Sequence, residues 1–119
     1  METSTTSERG ATAEAVAVEA LLRAGYDIVE QNWTCDAGEI DIIARQGDVL
    51  VFVEVRSRAD GMHGHAAEMV TPAKQRRVTR LAGIYLLLER PAYERCRFDV
   101  VAITGDEVEI IQDAWRVRG

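Results

Sequence analysis

A chain of 119 residues, 47% hydrophobic and 29% charged, can enclose one core, since a second domain would need roughly 100 residues more. Its 14 Lys+Arg against 20 Asp+Glu leave a net charge of -6, which argues against a protein that coats nucleic acid through bulk charge and excludes a cationic membrane-surface helix. Nine Gly and 2 Pro are too few for a collagenous or disordered chain.

Residues 1–9 read as a polar, Thr/Ser-rich disordered leader, and 10–119 as a single domain. The spacing of Ala13, Val16, Ala17, Ala20, Leu21 and Ala24 predicts a helix that begins between Glu8 and Thr12 and stops at Gly25. Tyr26, Ile28 and Gln31 to Trp33 then alternate as a first strand, ended by the Asp36-Ala37-Gly38 turn. Glu39 to Arg45 and Val49 to Ser57 are β-rich runs around a Gln46-Gly47-Asp48 hairpin turn. Arg58 to Val70 has neither period and reads as a loop; its His63 and His65 have no third ligand at metal-binding spacing and read as solvated. Thr71 as N-cap and Pro72 as first helical residue open a second helix, with Val78, Leu81, Ala82, Tyr85 and Leu88 as its core stripe and Pro91 ending it. Arg97 to Thr104, apolar on both faces at Val100 to Ile103, suits a strand in the middle of a covered sheet. Glu107 to Ile111 is a last strand, followed by an irregular or briefly helical tail carrying Trp115.

No Cys-x-x-Cys pair is present, so Cys35 and Cys96 read as free thiols of a reducing compartment. Met1 to Gly10 lacks an apolar signal region, and the longest near-apolar run, Leu81 to Leu88, is too short to span a bilayer. The expected location is the cytoplasm.

The hairpin carries the chemistry. A turn centred on Gly47-Asp48 pairs residues whose numbers sum to 95, which sets Asp41 opposite Glu54 and Glu39 opposite Arg56 on one face. Ile40, Ile42, Val51, Val53 and Val55 then share the other face. Two opposed carboxylates weaken a sheet unless something positive sits between them, and a divalent cation would do this. Oxygen ligands from one or two carboxylates, with water and substrate phosphate, suit Mg²⁺ (or Mn²⁺) better than zinc. The plainer alternative is a Glu39–Arg56 cross-strand ion pair with Asp41 and Glu54 on a solvated face. Asp99 reads as structural, receiving Arg97 or a backbone amide.

Gly38-Glu39-Ile40-Asp41 followed by Val51-Phe52-Val53-Glu54-Val55-Arg56-Ser57-Arg58 resembles the YraN family of uncharacterised bacterial proteins. Gly25-Tyr26, Asn32-Trp33, Thr71-Pro72-Ala73-Lys74-Gln75 and Arg97-Phe98-Asp99-Val100-Val101 extend the resemblance over nearly the whole chain. That family in turn resembles restriction-endonuclease-like nucleases of the Holliday junction resolvase branch. The resemblance implies an α/β fold of order αβββαβ plus a C-terminal strand, with a mixed sheet flanked by helices. It also implies a metal-dependent nuclease acting on DNA, branched structures included, with DNA favoured over RNA.

Carried over residue by residue, the motif's Asp and Glu fall on Asp41 and Glu54 as metal ligands and catalytic residues. Glu14 matches the acidic residue of the first helix, as a third metal ligand, and otherwise reads as a border residue of that helix with its head in water; Glu39, on its own pattern, reads either as supporting the site or as the partner of Arg56. The motif's lysine falls on Arg56. Arginine stays protonated at any working pH, so Arg56 can stabilise charge without taking a proton, and a base would have to come from elsewhere, Lys74 being one candidate. This departure keeps open a nucleic-acid-binding protein of the same fold with weak or lost catalysis.

Charge is unevenly distributed. Residues 1–55 carry 3 basic and 11 acidic side chains, residues 56–80 carry 6 and 2, and residues 81–119 carry 5 and 7. The expected nucleic-acid contacts are therefore Arg58, Lys74, Gln75, Arg76, Arg77 and Arg80, and binding should be local and salt-sensitive. No membrane partner is expected, and exposed strand edges would allow a homodimer.

Overall fold

The computed structural model describes residues 6–58 and 70–117, so His63, His65, most of the loop that holds them and residues 1–5 lie outside it. Helix α1 (Thr6–Arg23) is followed by β1 (Asp27–Cys35), β2 (Gly38–Gln46), β3 (Val49–Arg58), helix α2 (Pro72–Glu89), β4 (Arg95–Thr104) and β5 (Glu107–Trp115). The helix starts slightly ahead of its expected place, since nothing in Thr6, Ser7 or Glu8 bars helical geometry. The strands form one sheet in chain order, antiparallel except for the β3–β4 pair. A parallel pair needs a crossover, and α2 supplies it. The order αβββαββ and the mixed sheet between two helices agree with the expected restriction-endonuclease-like core.

One helix covers each face. Ala17 and Leu21 of α1 pack with Ile42, Ala44, Val51, Val53 and Val101. On the other face Val78, Leu81, Ala82 and Tyr85 of α2 meet Ile40, Ile43, Leu50, Phe52 and Phe98. The β2–β3 ladder runs from Gln46↔Val49 to Ile42↔Val53 in the expected register, with Gly47 at φ 62 in its turn. Thr71 caps α2 by accepting a hydrogen bond from the Lys74 amide at 3.2 Å, and Pro72 follows as predicted. None of the described helices is long and apolar enough to cross a membrane.

Four details differ from the sequence reading. Ile40 sides with α2 and not with Ile42, because the alternation of β2 breaks at Asp41, where the ladder to β3 ends. Glu39 consequently faces Thr34 of β1, not Arg56. Leu88 is 64% exposed: the buried α2 stripe ends at Tyr85, whose ring meets Trp33 and Phe52 edge-on, and in the last turn Leu86 packs against the core while Leu87 and Leu88 point to solvent. Finally, β5 continues through Trp115, which stacks on Phe98 at 4.9 Å. What read as an irregular tail is a bulge, with Gln112 to Ala114 set against Asp99 alone and Asp113 at φ 54.

That bulge serves a buried network. Asp99, fully buried, accepts from the Tyr26 hydroxyl at 2.6 Å, from Arg97 Nε and Nη2 at 2.9 Å each, and from the Asp113 amide at 2.9 Å. Arg97 also donates to Gln46 at 2.7 Å, so one carboxylate ties the α1–β1 junction to β2, β4 and β5. Both partners expected for Asp99, Arg97 and a backbone amide, are present. Asp99→Ala leaves these donors without their shared acceptor and should cost about 3–5 kcal/mol of stability in urea unfolding, without altering the acidic cleft described next.

Candidate acidic cleft and basic helix

Asp41 stands where β2 and β3 part. Beyond Ile42↔Val53 the backbone pairing stops, and the Asp41 carboxylate accepts the Val55 amide at 2.9 Å in its place. This fixes the side chain at the mouth of a cleft of about 250 Å³ lined by Gly38, Glu39, Asp41, Glu54, Lys74 and Arg77. Gly38 sits at φ +146, a conformation that side-chain-bearing residues rarely adopt, and it lies against Leu81 of α2. The packing of α2 here also brings Lys74 and Arg77 over the carboxylates.

Glu54 projects from β3 beneath α2 and its side chain is only 4% exposed, so the solvated-face alternative does not hold for it. Lys74 Nζ lies 3.4 Å and Arg56 Nη2 3.7 Å from its Oε1. Even so, burial and then the Asp41 charge push the Glu54 carboxyl up to about 8, against an ordinary value near 4.5, and Arg56 and Arg77 offset this only partly. Burial is the larger cause, so the protonated form of Glu54 is favoured chiefly by its removal from water, with the neighbouring Asp41 adding to it. Arg56 Nε is buried without a hydrogen-bond partner.

Glu14 reaches toward this region from α1. Burial raises its carboxyl, a 2.8 Å hydrogen bond from Asn32 Nδ2 opposes the rise, and the charges of Asp41 and Glu39 add to it. Among the described residues, no three acidic, histidine or cysteine side chains converge as a metal-binding group. Thus Asp41 and Glu54 come together, Glu39 lies on the cleft wall, and Glu14 faces them without joining them.

The basic residues divide by reach. Lys74 and Arg77 line the cleft, while Arg76 and Arg80 are exposed on α2. Gln75 is committed to the backbone, its amide donating to the Val70 carbonyl at 3.1 Å. Arg58 ends β3 opposite Thr104. A larger cavity, about 540 Å³, lies by Arg95, Cys96, Phe98 and Trp115. Two of the arginines lining it, Arg97 and Arg116, are paired with Asp99 and Asp113, whereas the smaller cleft brings two carboxylates together. Sequence reasoning missed Asn32; the Asn-Trp dipeptide was visible, but not the left-handed backbone within β1 that aims its amide at Glu14.

Fold and cleft define an α/β domain of restriction-endonuclease-like layout in which a buried Glu54 and a half-buried Asp41 meet beneath a basic helix. The chain belongs to the Uncharacterised protein family UPF0102, whose family model matches residues 13–103. It is 43% identical over 111 residues to a UPF0102 protein of Lachnoclostridium phytofermentans, covering 92% of this chain and 94% of that protein. The UPF0102 protein of Moorella thermoacetica is 42% identical over 117 residues, 98% of each chain. That of Chloroflexus aurantiacus is 49% identical over 97 residues, 81% of this chain and 78% of its own.

Proposed function

We propose that this protein is a metal-dependent nuclease that hydrolyses phosphodiester bonds in DNA, with branched and flap-like DNA as the first substrates to try. The observation that carries the reading is the convergence of Asp41 with the buried Glu54 in one cleft, two oxygen donors side by side that suit a hard divalent ion. Asp41 and Glu54 would hold Mg²⁺ or Mn²⁺, a donor set in keeping with an ion that takes one or two carboxylates and completes its shell with water and phosphate. When bound, the ion lowers the pKa of a water and offsets charge on the phosphoryl group.

The chain's own residues do the rest. Glu54 must give up its carboxyl proton before it can serve as a ligand. Arg77, with Arg76 and Arg80 farther out on α2, meets the phosphate backbone and sets its register. Lys74 stands within 3.4 Å of Glu54, where its ammonium can orient a water or donate to a phosphoryl oxygen as charge develops. Arg56, at the position where the resembling nucleases carry lysine, contributes fixed positive charge. The second reading, a binding protein of this fold with weakened catalysis, rests on Arg56. Lys74 in the cleft favours the enzyme, because it restores a lysine beside the acidic pair.

Purified protein should cut a structured DNA in Mg²⁺ or Mn²⁺, and Asp41→Asn or Glu54→Gln should abolish cutting. Asparagine at 41 keeps an oxygen for the Val55 amide, so the change removes charge and not the strand contact. Cleavage that survives both substitutions would sink the assignment. DNA binding without cleavage, weakening with salt, would favour the second reading.

A further inference from the structure

We infer that Asn32 is a positioning residue that holds the Glu14 carboxylate on the Asp41 side of the acidic cleft, leaving its charge intact for a divalent cation. The inference rests on the metal-site reading above and extends it to a residue outside the carboxylate set.

Asn32 has an unusual backbone for its place. Its neighbours Gln31 and Trp33 pair regularly with Ile42 and Ile40, so Asn32 lies across from Asp41 on the adjacent strand. Yet its φ is 54, a left-handed conformation that costs most residues energy and that asparagine tolerates best after glycine. Asn32 is itself exposed, and its left-handed backbone comes just before Trp33, which with its partner Ile40 enters the α2-side core. Its Nδ2 donates to Glu14 Oε2 at 2.8 Å, from β1 to α1.

The choice of an amide has a physical consequence. Glu14 feels the charges of Asp41 and Glu39, and a carboxylate repelled by two others would turn toward water unless restrained. A lysine or arginine would restrain it but would also neutralise the charge that attracts a cation. A neutral N–H donor orients the group and leaves both its charge and its second oxygen available. Such supporting hydrogen bonds typically change metal affinity 10–100-fold.

The test uses Mn²⁺ titrations followed by electron paramagnetic resonance on the full chain and on Asn32→Gly, Glu14→Ala and the double variant. Glycine keeps the left-handed backbone and removes only the amide, and thermal melts confirm that each variant is folded. Expected are Mn²⁺ binding by the unaltered chain, a loss of about tenfold or more in Asn32→Gly, and no further loss when Asn32→Gly is added to Glu14→Ala. Binding unchanged in Asn32→Gly, or losses that simply add in the double variant, would overturn the positioning role while leaving the metal site standing. No Mn²⁺ binding by the unaltered chain would instead overturn the metal-site reading, and this inference with it.

Discussion

Lys74→Met should lower DNA cleavage about 10²–10³-fold while Mn²⁺ binds as tightly as before or more tightly. The opposite signs follow from the geometry. Lys74 Nζ sits 3.4 Å from the Glu54 oxygen that would face a cation, so the ammonium and the metal ion repel each other. Removing that charge favours the ion. In the proposed hydrolysis the same ammonium would stabilise charge growing on the phosphoryl oxygens, and its loss would raise the barrier. Methionine keeps the length and apolar stem of the side chain, so packing beside Val78 changes little. A merely structural lysine would behave differently: its loss would loosen the cleft and depress binding and cleavage together. Arg56→Lys should have a much smaller effect, because Lys74 already places an ammonium at Glu54.

The second large effect is on stability in the absence of metal. Glu54 in the native protein keeps its proton up to about pH 8, whereas the unfolded chain releases it near 4.5. Between those values the native state binds the extra proton, so its stability falls as pH rises, by ~1.4 kcal/mol per pH unit, and levels off above 8. The loss contributed by this one buried group is on the order of 5 kcal/mol. Glu54→Gln has no proton to lose and can donate to Asp41 as the protonated carboxyl does. In urea unfolding, the variant's stability should lack this decline and exceed the parent's at pH 8.5. A parent profile with no decline from pH 5 to 8 would remove the buried-acid description of Glu54.

Parts of this site were readable from the sequence because local rules decide them. The Gln46-Gly47-Asp48 turn and the alternation beyond it fix the hairpin register, and the register brings Asp41 to Glu54. Thr71 and Pro72 likewise announce the start of α2. Other parts depend on events that periodicity does not encode. The alternation rule assumes a ladder that continues through Asp41; it ends there, which moves Ile40 to the α2 face and separates Glu39 from Arg56. The arrival of Lys74 at Glu54 requires α2 to dock over Gly38, a tertiary contact. The left-handed Asn32 and the Asp113 bulge are single-residue departures inside strands, and composition gives no sign of either. The acidity of the chain also changes meaning: the net charge of -6 counts Glu54, buried beneath basic residues, and Asp41 beside it, not simply a solubilising surface.

If Asp41 and Glu54 together hold a divalent cation, titration calorimetry of Mn²⁺ at pH 7 in buffers of different ionisation enthalpy should detect it. At that pH Glu54 is still largely protonated, so binding should release roughly one proton per ion. Asp41→Asn and Glu54→Gln should each weaken binding severely, and Glu54→Gln should also abolish the proton release. Mn²⁺ that fails to bind, or that binds without proton release and indifferently to both substitutions, would contradict the account.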